Sequence, residues 1–167
     1  MSDSVNVFFD PAVLSLVGVA ISAGLAAIGS SIGSGYVASI SAGLVAKEPS
    51  KFAQVLILSA LPSSQALYGL LYAIIILLRT GLLNGQLVEG MTSEIGMQFL
   101  LSALPVGVAC LISAIYQGKV AGAGVKIVAE SPENSNQAIV LAALIESFAI
   151  FGLIVSILIG FIGIQIP

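Results

Sequence analysis

The sequence predicts an all-α integral membrane protein whose four transmembrane helices form two tandem, duplicated hairpins. Three observations carry that prediction. Of 167 residues, 58% are hydrophobic and only 8% charged, whereas a soluble domain carries about 25% charged residues, so the bilayer is the expected solvent. The charges fall in few places, and between them lie four long, mainly apolar segments. The second half of the chain also repeats the first at a constant offset of 83 residues.

The first helix, about 11–45, lies between Asp10 and Lys47, and the second, about 52–78, between Lys51 and Arg79. The third, about 95–128, follows Glu94, and the fourth, about 136–166, holds a single charge, Glu146. Each exceeds the ~20 apolar residues that a spanning helix needs, and the alternating polarity of a barrel strand is missing. The opening MSDSVNVFFDP carries Asp3 and Asp10 where a secretory signal needs basic residues, so the first helix is expected to stay in the mature protein. The connections 46–50 (AKEPS) and 130–133 (ESPE) are short and polar, while 80–94 is longer and contains Gly81, Asn84, Gly85 and Gly90. The hairpins are therefore read as 1–85 and 86–167. Four crossings put both short loops on one side and the termini on the other. Lys47, Lys51, Lys119 and Lys126 lie on the short-loop side against Arg79 alone, so the positive-inside rule expects cytoplasmic short loops and outside termini.

Composition also excludes functions. The absence of His, with Cys110 as the sole Cys, removes disulfide frameworks, Cys/His zinc sites and His-dependent triads. Five cations and a net charge of −3 argue against nucleic-acid binding. No G-x-x-x-x-G-K-[ST] nucleotide loop occurs.

The repeat aligns GSGYVASISAGLVAKEP (33–49) with YQGKVAGAGVKIVAESP (116–132), matching Gly35/Gly118, Val37/Val120, Ala46/Ala129 and Pro49/Pro132, and continues through Gln54/Gln137, Ser64/Ser147 and Gly69/Gly152. Both halves then cross the membrane in the same direction, unlike an inverted repeat. The alignment sets Glu146 opposite Ser63, so one hairpin alone keeps a carboxylate in mid-helix. A charged side chain near the bilayer centre costs at least ~2.5 to 3.5 kcal/mol, so something must compensate or use it. A protonated Glu joining two helices by a hydrogen bond is the bland alternative.

Depth is countable along a helix. Glu146 lies 14 residues after Pro132, Gln117 lies 15 before it, and Ser64 and Gln65 lie 15 and 16 after Pro49. At ~1.5 Å per residue all four share a layer roughly 21 to 24 Å from the short-loop side. Leu61, Ser64, Gln65 and Tyr68 fall on one face of the second helix, where Pro62 should kink the backbone and free the Leu58 carbonyl. Carboxylate, amide and hydroxyl oxygens together suit a hard cation, although taken singly each polar residue equally fits interhelical hydrogen bonding. Gly29 with Gly33, and Gly118 with Gly122, form G-x-x-x-G steps that permit close helix packing. They are candidates for the inner layer of an oligomer, or for close packing inside a single bundle.

LPSSQALYG at 61–69, YQGKVAGAG at 116–124 and LIESFAIFG around Glu146, set in duplicated hairpins, resemble the proteolipid subunit of rotary V/A-type ATPases, especially the sodium-translocating bacterial type. That resemblance implies a ring of identical subunits in lipid, non-catalytic itself, carrying Na+ past a stator subunit that supplies an Arg, with ATP hydrolysed elsewhere. It implies Na+ ligation by the Glu146 carboxylate, the Gln65 and Gln117 side-chain oxygens, the Ser64 hydroxyl and the Leu61 carbonyl, with Tyr68 hydrogen-bonding the carboxylate to close the site. It implies no cofactor, a central stalk at the short loops, and a prokaryotic plasma membrane. Ser64 stands where close sodium-type relatives have Thr, which keeps the hydroxyl. The alternatives are the same rotor carrying H+, and a four-helix secondary transporter or channel.

Overall fold

The computed structural model describes residues 7–166; Asp3, used in the reading of the N-terminus, and Pro167 lie outside them. Among the described residues, four helical segments are long and apolar enough to cross a membrane: Pro11–Val45, Pro49–Thr80, Ser93–Glu130 and Pro132–Gly163. Their α-helical parts are α1 (Pro11–Val45), α2 (Phe52–Ala60), α3 (Ser64–Thr80), α4 (Ser93–Glu130) and α5 (Ser135–Ile157).

Local chemistry sets the ends. Asp10 caps α1 by accepting from the Ala12 N–H at 2.8 Å and the Val13 N–H at 3.3 Å, with Pro11 in the first turn. Both act where a helix N-terminus has N–H groups without partners. Thr92 caps α4 through the Ile95 N–H at 3.3 Å. Each short loop ends in a 3-10 turn opened by proline, Pro49–Lys51 and Pro132–Asn134. Lys51 binds the two loops together, donating to the Ala129 carbonyl at 2.7 Å while pairing with Glu48 at 2.7 Å.

Two spans differ from the sequence expectation at their far ends. The second was expected to stop before Arg79, but α3 continues to Thr80 and ends at Gly81, whose φ of +80° suits glycine. Arg79 does not interrupt the helix because its guanidinium reaches backbone carbonyls of the chain's end, Phe161 at 3.1 Å and Ile164 at 2.8 Å. The fourth span was expected to stay helical to 166, but α5 passes into a π-helical turn, Leu158–Gly163, and Ile164 is extended.

In the bundle, α1 packs most extensively on α4, α4 also on α5, and α1 also on α3. Glycine makes the α1–α4 contact possible. A Cβ at Gly29 would lie 2.6 Å from the Leu111 backbone, and one at Gly118 would lie 2.5 Å from the Gly33 Cα. At Gly122 the neighbour is the Tyr36 ring, 2.7 Å from such a Cβ. All four glycines of the two G-x-x-x-G steps are thus used inside one chain, whereas Gly24 and Gly35 face open space. Leu67, Leu70, Leu144, Phe148 and Phe151 stay exposed, an apolar exterior matched to lipid or to further copies of the chain.

Because the Gly118 contact is backbone against backbone, Gly118→Val cannot be absorbed by a side-chain rotation. It should cost ~1 to 3 kcal/mol, seen as earlier loss of helical circular dichroism on heating the detergent-solubilised protein; an unchanged melt would refute the contact.

Candidate functional site

Pro62 has no N–H to donate, so the second span cannot continue as an unbroken α-helix through it. It passes instead through a 3-10 turn, Leu61–Ser63, between α2 and α3. Pro62 is buried there against Gly33 of α1, where a Cβ would lie 2.9 Å from the proline Cβ. The turn aims both the N–H and the hydroxyl of Ser64 at the Leu61 carbonyl, the hydroxyl at 3.0 Å. The same hydroxyl lies 3.3 Å from Gln65 Oε1.

Gln65 and Gln117 are both fully buried, at 0% exposure. Gln65 Nε2 donates to Gln117 Oε1 at 2.7 Å, and Gln117 Nε2 donates to the Ala142 carbonyl at 3.2 Å. Three spans are thereby tied at one level, and each amide oxygen keeps a second lone pair. One turn beyond Ser64, Tyr68 donates to Glu146 Oε1 at 2.5 Å. Glu146 is half-buried, between the exposed side chains of Leu144 and Phe148. Its carboxylate therefore stands at the rim of the bundle, with the amide pair deeper inside.

Leu61, Ser64, Gln65 and Gln117 form one connected network, and Tyr68 and Glu146 form a second pair beside it on the same spans. Among the described residues, no group of three or more His, Cys, Asp and Glu is gathered. The donor set is thus one carboxylate and neutral oxygens, unlike a transition-metal centre. From α1 comes the glycine seat for Pro62. Ser34, at the register position of Gln117 in the first half, has a buried hydroxyl without a partner among the described residues.

Sequence reasoning missed the Ala142 carbonyl. A backbone oxygen has no residue-type signature; the available clue was its place one turn before Glu146 on the same helix face. It also missed a second buried pair, in which Tyr72 donates to Ser102 at 2.6 Å.

Fold and site together define a four-span membrane protein organised around one carboxylate in a polar layer. The chain belongs to the ATP synthase C-subunit family, whose profile matches residues 17–76 and again 100–159. The two matches are themselves 83 residues apart, from 17 to 100. The chain is 40% identical over 131 residues to the V-type sodium ATPase subunit K of Enterococcus hirae, covering 78% of this chain and 80% of that protein. It is also 40% identical over 149 residues to the A-type ATP synthase subunit K of Methanocaldococcus jannaschii, covering 89% of this chain and 62% of that protein. The chain is therefore a non-catalytic, ring-forming rotor component in the membrane sector of a rotary ATPase, with the catalytic sites on other subunits.

Replacing Gln117 with Leu would leave the Gln65 amide and the Ala142 carbonyl buried without their partner. Gln117→Leu should cost ~1 to 3 kcal/mol, read as a lowered thermal midpoint; an unaltered midpoint would show that the network does not hold the spans.

Proposed function

We propose that this rotor chain transports Na+ through Glu146 as the ring turns. In this reading the ion is held by the Glu146 carboxylate, Gln65 Oε1, Gln117 Oε1, the Ser64 hydroxyl and the Leu61 carbonyl, and Tyr68 closes the site. The observation that carries the proposal is the gathering of four neutral oxygen donors at the level of a single carboxylate. A proton needs only the carboxylate; Na+ has a hydration shell to be replaced, and only several oxygens replace it. The sodium ATPase named among the relatives supports the same choice.

The chemistry follows from charge. A bare carboxylate is too costly to move through lipid, whereas a carboxylate neutralised by a monovalent cation is not. The Gln117–Ala142 bond fixes one amide and the Gln65–Gln117 bond the other, so the oxygens are oriented before the ion arrives. Tyr68 holds the carboxylate at the rim while the site faces lipid. At the stator, an Arg of another protein displaces the ion toward water and prevents leakage. Identical copies complete the ring, each hairpin of the chain (1–85 and 86–167) being one unit of the duplication. The short loops, with Lys47, Glu48, Lys51, Glu130 and Glu133, face the cytoplasm and the central stalk of a prokaryotic plasma-membrane enzyme, and the termini face outward.

The test is equilibrium binding of radioactive 22Na+ to the purified ring, followed by ATP-driven 22Na+ uptake in vesicles holding the complete complex. Glu146→Gln should abolish both, and Ser64→Ala or Gln65→Leu should weaken binding about tenfold or more, the loss of one charge-directed contact. Binding should tighten as pH rises, because Na+ and H+ compete for one carboxylate. Uptake of protons with no 22Na+ binding would make the chain the proton-carrying form of the same rotor.

A further inference from the structure

We infer that Arg79, the chain's single Arg, is a positioning residue for the Tyr68–Glu146 contact. The second span meets the fourth along one stripe. Tyr68, Tyr72 and Arg79 fall at i, i+4 and i+11, on one helix face. Their partners run in order along the fourth span. Tyr68 donates to Glu146; the Tyr72 hydroxyl packs on Gly160, in the space that a Cβ there would need; and Arg79 donates to the Phe161 and Ile164 carbonyls.

The far end of the fourth span makes Arg79 more than a surface cation. There the chain leaves the α-helix for the π turn Leu158–Gly163 and then becomes extended, so its last carbonyls lack the usual N–H partners. A guanidinium presents donors in a rigid fork and reaches two such carbonyls at once. Its carbon also lies 5.4 Å from the centre of the Phe161 ring, a cation–π geometry. Positive charge at a helix C-terminus is favourable as well.

Direct contact between α3 and α5 is slight beside that between α4 and α5. Few direct interactions thus join these two helices, and Arg79 supplies two hydrogen bonds among them at the end opposite the short loops, beside the Tyr72–Gly160 contact. Releasing it loosens the far end of the fourth span against the second, and the Tyr68–Glu146 bond, which joins the same two spans, is the contact that feels it.

The test is the rate at which a carbodiimide modifies Glu146 in the purified ring without Na+, for wild type, Arg79→Gln, Arg79→Lys, Tyr68→Phe and the double variant Arg79→Gln/Tyr68→Phe. Arg79→Gln should raise the rate about threefold or more, and Tyr68→Phe should add little in that background, the non-additivity of coupled groups. Arg79→Lys, which keeps the charge but not the fork, should recover part of the effect and remains informative if Arg79→Gln fails to assemble. A lowered thermal midpoint with an unchanged labelling rate, or two fully multiplicative effects, would overturn the inference. Because these rates are read without Na+, they stand apart from the choice of ion, which a parallel series with NaCl tests.

Discussion

Everything else in the molecule answers to one constraint: a carboxylate has been placed in the middle of a transmembrane helix. Water cannot solvate it there, so its polar atoms must be met by protein or by cargo. Tyr68 meets one oxygen directly. The neighbouring spans supply the rest of a polar layer, every member of which is itself hydrogen-bonded: Ser64 to Leu61, Gln65 to Gln117, Gln117 to Ala142. Such a layer in a low-dielectric interior is rigid when it is complete and expensive when any partner is lost.

Backbone chemistry puts the layer in place. Pro62 breaks the second span and turns Ser64 toward the Leu61 carbonyl, and the broken segment is accommodated because Gly33 has no side chain. Gly33 also meets Gly118, the residue after Gln117, at backbone distance. One contact therefore seats the proline and sets the third span close enough for the two glutamines to join. The glycines and the polar layer are parts of a single arrangement, not a packing motif and a site that happen to coexist.

Much of this was legible in the sequence because helical geometry is regular. Counting residues from Pro49 and Pro132 was enough to bring Ser64, Gln65 and Gln117 to one level, and the missing N–H of Pro62 was enough to anticipate a break. The Ala142 carbonyl was not legible, since backbone oxygens look alike in sequence. The end of the second span was misplaced for a related reason: a charge is a sound boundary marker only when it must reach water, and Arg79 finds carbonyls of its own chain instead. The π turn of the fourth span lies in an apolar stretch whose composition gives no hint of it.

The duplication has left two halves of alike sequence and unlike chemistry. The prolines of the short loops and the 83-residue offset persist, but Ser63 stands opposite Glu146 and Ser34 opposite Gln117, so one set of four spans holds one carboxylate site. The most direct measurement of what that site holds is carbodiimide modification of Glu146 in the purified ring, across pH, with NaCl or with KCl. Protection by Na+ and not by K+, fading as the pH falls, is the result predicted for a carboxylate occupied by its ion; a rate governed by pH alone, indifferent to either salt, would contradict it.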